Sequence, residues 1–306
     1  MLLHVLHETA YEYSPMVRTA QHMAHLKPLA TAYQQVLSHR LTVDPRPARQ
    51  TESVDVYGNS RSFFSLQYAH EGLSVQAESL VSTSPREEPA TSLPWEQAVE
   101  RMRYHRATLY DPAAEFAFAS PYVPRDAGFI AYAQASFKEG RPLLECAHDL
   151  MGRIHADFEY ETTATDVNTP ALEALELRKG VCQDLAHVML GCLRSLRLPA
   201  RYVSGYLLTH PPPGQPRLVG ADASHAWVSL YLPAAQGPGT WVDLDPTNDR
   251  AAGEDYVTLA IGRDYSDVSP MRGVLHGGAN HALRVAVTVT PVSNDQMTPA
   301  APTMTE

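Results

Sequence analysis

The sequence predicts an α+β fold: a helix that bears a cysteine at its start, packed on an antiparallel sheet and preceded by an N-terminal β-sandwich-like module. Three observations lead there. Residues 1–85 alternate like strands, with turn residues between them. From residue 143 the apolar spacing becomes helical. Beyond Pro199 strand patterning returns, and a Pro/Gly loop separates two stretches rich in aromatic and β-branched residues.

In the N-terminal part, Leu3, Val5, His7, Thr9, Tyr11 and Tyr13 share one face of a first strand. Residues 35–43, 62–68 and 73–83 are further strands, with a turn at Tyr57-Gly58-Asn59-Ser60. A Pro-rich linker ends at Pro94. Residues 95–110 read as a helix and 112–124 as irregular chain. Residues 143–158 form an amphipathic helix with Leu144, Leu150, Met151, Ile154 and Phe158 on its apolar side. A short helix follows at 171–177. Residues 200–208 and 217–220 read as strands joined by the loop 209–214, which can border a cleft or simply connect. Residues 281–291 alternate as a closing strand, and 292–306 as a disordered tail. The expected division is a β-rich module at 1–85, a linker at 86–94, a core with closing strands at 95–291, and the tail.

Everything is organised around Gly180-Val181-Cys182-Gln183-Asp184. Gly180 permits a tight turn. From Cys182 the pattern is helical, with Leu185, Met189, Leu193 and Leu196 on one face. A cysteine in a first helical turn meets the positive end of the dipole and unpaired N–H groups, which favour the thiolate nucleophile. Two later strands supply its partners. Residues 223–232 carry His225, and 240–248 carry Asp243 and Asp245. A hairpin turn centred near residue 235 gives opposed residues an index sum of about 470, so His225 faces Asp245 and Trp227 faces Asp243, with Cβ atoms about 4.5–5.5 Å apart. A slip of two would substitute Asp243 for Asp245. The parts are those of a nucleophile, a base and a carboxylate that orients the base.

Four stretches carry a resemblance: Gly-Val-Cys-Gln-Asp at 180–184, Pro-Ala-Arg-Tyr-Val-Ser-Gly-Tyr-Leu at 199–207, Ala-Ser-His-Ala-Trp-Val at 223–228 and Trp-Val-Asp-Leu-Asp-Pro-Thr-Asn at 241–248. Together they resemble the papain-like, transglutaminase-like core of bacterial cysteine proteases. The stretches at 9–13, 26–28 and 55–59 resemble the N-terminal region that accompanies it, and 262–268 and 270–273 also match. The resemblance implies a triad of Cys182, His225 and Asp245, and it chooses Asp245 over Asp243. Gln183, Tyr160 and Trp227 are candidates for oxyanion or substrate contacts, alongside the backbone N–H of Cys182.

The implied function is that of a thiol protease, a peptidase or amidase that passes through a thioester. One alternative is a protein-glutamine transglutaminase, in which an amine replaces water. Another is a non-catalytic module that binds a peptide or partner, and a third is an enzyme that conjugates or removes a protein tag. The expected partner is a peptide or protein substrate, and the triad chemistry needs no metal and no cofactor. A formal net charge of −10 argues against nucleic acid and anionic membrane as partners. No apolar run approaches a membrane span, and three cysteines make no disulfide framework, so the expected setting is the reducing cytoplasm. Cys146 and Cys192 are read as core residues. His22 and His25 lack a third ligand and are read as surface or core histidines. Arg263 is expected to pair with an internal acid rather than with a substrate carboxylate.

Overall fold

The structure is a computed structural model that describes residues 1–104, 106, 110–209, 224–278 and 280–292. The elements run β1 (Leu2–Ala24), β2 (Gln34–Asp44), β3 (Arg49–Val54), β4 (Ser60–Leu66), β5 (His70–Thr83), α1 (Trp95–Met102), α2 (Ala127–Ala133), α3 (Leu143–Asp157), β6 (Glu159–Tyr160), α4 (Ala171–Leu177), β7 (Lys179–Gly180) and α5 (Cys182–Ser195). They continue with β8 (Ala200–Leu207), β9 (Ser224–Leu232), β10 (Thr240–Asp245), β11 (Arg250–Ala251), β12 (Tyr256–Gly262), α6 (Tyr265–Val268), β13 (Met271–Gly277) and β14 (Asn280–Pro291). The strand expected at 217–220, most of the loop 209–214 and nearly all of the tail lie outside the described residues.

The N-terminal module is one curled seven-stranded sheet built on β1. Along one edge β1 pairs first with β5 and then with β4; along the other it pairs with β14 and then with β13. The pairing slips between Glu12 and Val17, around Pro15, which has no N–H to give to a ladder. The strand bends there, and Val17, Ala20, Phe64, Leu66, Leu73 and Val75 close a separate core. The closing strands expected at the end of the catalytic core therefore belong to the N-terminal sheet. Their alternation is real, but alternation does not name a partner.

The second sheet runs in the order β11-β10-β9-β8-β12, and its sequential neighbours are antiparallel. Helix α5 lies on one face, where Leu185, Met189 and Leu193 meet Ala226, Val228, Leu230, Val242 and Leu244 in the main core. Helices α2, α3 and α4 also pack on α5, so its residues from Asp184 to Arg194 are all buried. Of the helix expected at 95–110, Trp95–Met102 is helical, and residues 105 and 107–109 lie outside the described residues.

The module is tied to the free edge of β12 by two side-chain amides. Gln34 donates to the Thr258 carbonyl at 2.7 Å and accepts its N–H at 2.8 Å. Asn59 does the same at Ile261, at 2.7 and 2.8 Å. Each amide substitutes for one ladder step of a missing neighbouring strand. Leu3, Val5 and Val81 pack nearby against Tyr206, Val257 and Leu259.

Candidate active site

The cysteine loop is held by three constraints. Gly180 adopts φ of 152°, and a Cβ there would sit 2.5 Å from Asp184 Oδ2. That oxygen accepts the Val181 N–H at 2.8 Å and the Thr165 hydroxyl at 2.7 Å, which caps the start of α5. Burial raises the Asp184 carboxyl, against the hydrogen bonds from Thr165 and Val181. The short parallel pair β6–β7 fixes the loop from its other side, with Glu161 N–H donating to the Gly180 carbonyl at 3.0 Å. Cys182 emerges at the first turn of α5, partly exposed.

His225 sits near the start of β9, 9% exposed, and Asp245 at the end of β10, 0% exposed. Their Nε2···Oδ2 separation is 2.6 Å. A carboxylate only accepts, so Nε2 carries a proton and Nδ1 is the ring nitrogen left for the cysteine. The hairpin register differs from expectation by two. Leu244 pairs with Val228 and Thr240 with Leu232, an index sum of 472, so Asp245 falls at the level of Trp227 and lies diagonal to His225. The loop 233–239 has its midpoint at residue 236, which accounts for the shift. An imidazole still spans the diagonal. Asp243 is instead paired to Arg86.

Asp245 is a buried anion with a full set of donors. Oδ2 accepts from His225, from Asn248 Nδ2 at 2.7 Å and from the Tyr256 hydroxyl at 2.7 Å. Oδ1 accepts the N–H groups of Thr247 at 2.8 Å and Asn248 at 3.3 Å. Burial pushes this carboxyl up, but the hydrogen bond and charge of His225, with Asn248 and Tyr256, hold it below its ordinary range. For His225, burial lowers the imidazole, yet hydrogen bonds to Asp245 and Cys182 outweigh it and raise it to about 10. At neutral pH the arrangement favours an imidazolium between a carboxylate and a sulfur.

Of the remaining candidates, Tyr160 stands beside the cysteine, 54% exposed, its hydroxyl raised by burial and then by Cys182 and Asp184. The Gln183 amide donates to the Val167 carbonyl at 3.1 Å. Trp227 is a correction. It is 0% exposed, so it touches no substrate. Its ring lies 6.1 Å from His225 and 5.3 Å from Tyr256, and Gly205 lets it approach β8, since a Cβ there would lie 2.4 Å from the indole. It is the floor beneath His225. Asn248 and Tyr256 were not singled out from sequence. Asn248 lies three residues past Asp245, in a motif that could have drawn attention to it. Tyr256 opens a strand whose seven residues are all buried, so it shows no alternation. Elsewhere, Arg263 pairs bidentately with Asp267 at 2.9 and 3.0 Å, the internal role expected of it. Buried His22 stacks on Phe64, and buried His25 donates from Nδ1 to the Ser269 carbonyl.

Comparison with known proteins accords with this architecture. Residues 3–82 match the bacterial transglutaminase-like N-terminal region, and residues 130–246 match the transglutaminase-like superfamily. An uncharacterised protein of Mycobacterium bovis is 40% identical over 301 residues, covering 96% of this chain and 94% of its own. The chain belongs to the bacterial transglutaminase-like family. An uncharacterised relative from Mycobacterium leprae is 30% identical over 94% of this chain and 98% of its own. The crystal structure of a presumed cysteine protease from Cytophaga hutchinsonii shares the fold, with a TM-score of 0.70 at 20% identity over 96% of this chain and 92% of that one. The transglutaminase-like match stops at Pro246, so Asn248 and Tyr256 lie beyond the matched segment. Among the described residues no helix is long and apolar enough to cross a membrane.

Proposed function

We propose that this chain is a cysteine peptidase or amidase acting through Cys182, His225 and Asp245. The observation that carries the reading is the buried His225–Asp245 pair, closed by Asn248 and Tyr256 and placed against the thiol. The raised imidazole makes His225 a competent acceptor for the thiol proton. The Cys182 sulfur then attacks an amide carbonyl, and the oxyanion is stabilised by the Cys182 N–H, one of the helix N–H groups with no intrahelical acceptor. As the C–N bond breaks, the imidazolium protonates the leaving amine, and neutral His225 next takes a proton from water as it attacks the thioester. Water returns the acid product and the free thiol. Asp245 holds the ring and its charge throughout.

Hydrolysis is preferred to transamidation because Cys182 is partly exposed and Tyr160 beside it is open to solvent. Cys146 and Cys192 are buried thiols, and all three cysteines are unpaired, which suits a reducing, cytoplasmic setting. The test is mass spectrometry of a diverse peptide pool incubated with the protein and a small primary amine, against a Cys182→Ala control. New termini or deamidated side chains absent from the control are expected. Amine adducts would make the protein a transglutaminase, and unchanged peptides would favour a binding module.

A further inference from the structure

On the far side of β10 from the main helical core, a cavity of about 310 Å³ opens between the linker, the second sheet and the segment after β1. Arg201, Ser229 and Asp243 stand in one row across β8, β9 and β10. Arg86 reaches in from the linker to pair with Asp243, and its other nitrogen lies 3.3 Å from the Thr258 hydroxyl. Arg201 is different. Its guanidinium lies over the Trp241 ring at 4.1 Å, and its Nε is buried with no hydrogen-bond partner among the described residues. Burial lowers the Arg201 guanidinium to about 10, partly offset by Asp243, so it remains cationic at neutral pH. With Asp243 paired to Arg86, Arg201 is the lining cation without an ion-pair partner among the described residues, while exposed Glu87 and Glu88 also line the cavity.

We propose that this cavity is a binding site for a small monocarboxylate with an apolar body, its carboxylate held by Arg201. A planar guanidinium matches a carboxylate, and unpaired buried donors are costly unless something accepts from them. Leu29, Val203, Ile261 and Trp241 supply apolar wall for the rest of the ligand. One cation without an ion-pair partner among the described residues, with the carboxylates of Glu87 and Glu88 at the lining, disfavours a multiply charged anion such as phosphate. The volume is at the lower end for small-molecule sites. The site is separate from Cys182, but β10 carries both Asp243 and Asp245.

The test uses the full-length Cys182→Ala protein, so that no turnover intervenes, titrated with 3-phenylpropionate and with 3-phenylpropionamide. Calorimetry should show saturable one-to-one binding of the acid, about tenfold or more weaker for the amide. The same loss is expected for the acid with Arg201→Met. The Arg201 Nε–H and Trp241 indole resonances should move with the acid, a readout that survives if Arg201→Met does not fold. Equal binding of acid and amide, no saturable binding, unaltered binding by Arg201→Met, or shifts confined to other residues would overturn the proposal.

Discussion

Asp245 carries the heaviest electrostatic load of any residue in the site, because it is wholly buried and charged. Five hydrogen-bond donors offset the cost of taking it out of water. Asp245→Asn removes the charge that raises His225, so the alkaline limb of kcat/KM should move from near pH 10 to lower pH, and kcat should fall by about 100-fold or more. Asp243→Asn leaves the dyad intact and should change kcat little; the reverse order in steady-state kinetics would contradict the assignment. Stability carries the same signature. His225 has a folded value above its ordinary 6.5, so its contribution is full below 6.5 and is lost as pH rises through about 10. Asp245 is depressed, so its contribution is present above 3.8 and is lost as pH falls through its lower folded value. The difference in melting temperature between wild type and Asp245→Asn should therefore be largest between 3.8 and 6.5 and shrink toward pH 10. Cys182, His225 and Asp245 could be singled out from sequence because each sits in a short motif with its own local grammar, and His225 and Asp245 are found hydrogen-bonded. Tyr256 was not, since only the tertiary fold carries its hydroxyl from β12, beyond β8 and β9 in the same sheet, to Asp245; Asn248 reaches Asp245 from the turn three residues on.

Among the elements, the start of α5 shows why a few residues suffice to aim a nucleophile. Gly180 has a backbone that a side chain rarely adopts, and it leaves no room for a Cβ against Asp184. Gly180→Ala should cost about 1–3 kcal/mol of stability and displace the cysteine loop, lowering both melting temperature and kcat. An unchanged melting curve would show that the loop can relax at no cost. The hairpin marks the limit of reading elements from sequence. Its strands and its loop at 233–239 were visible, but register depends on where the turn is centred, and one residue of error in the centre shifts every opposed pair by two. Helix α2 went unread because residues 127–133 are only seven long, too few to establish an amphipathic repeat, and its Asp126 cap is the main local sign.

At the scale of the whole molecule, the N-terminal sheet acts as the missing neighbour of β12, and β12 carries the Tyr256 that holds Asp245. Replacing Asn59 by Leu would leave the Ile261 N–H and carbonyl buried without partners, at a cost of about 1–3 kcal/mol each. Asn59→Leu should thus lower the melting temperature and, through β12, reduce kcat; stability loss with unchanged kcat would separate the module from the site. This coupling was invisible in sequence, because Asn59 meets Ile261 across 202 residues and nothing local encodes that contact. The proposed function turns on covalent catalysis by Cys182. Protein quenched in acid during reaction with the peptide pool, then digested and analysed by mass spectrometry, tests it most directly. An acyl group is expected on the Cys182 peptide, lost on standing at neutral pH and never formed in Cys182→Ala. Peptide turnover without that adduct, undiminished in Cys182→Ala, would contradict it.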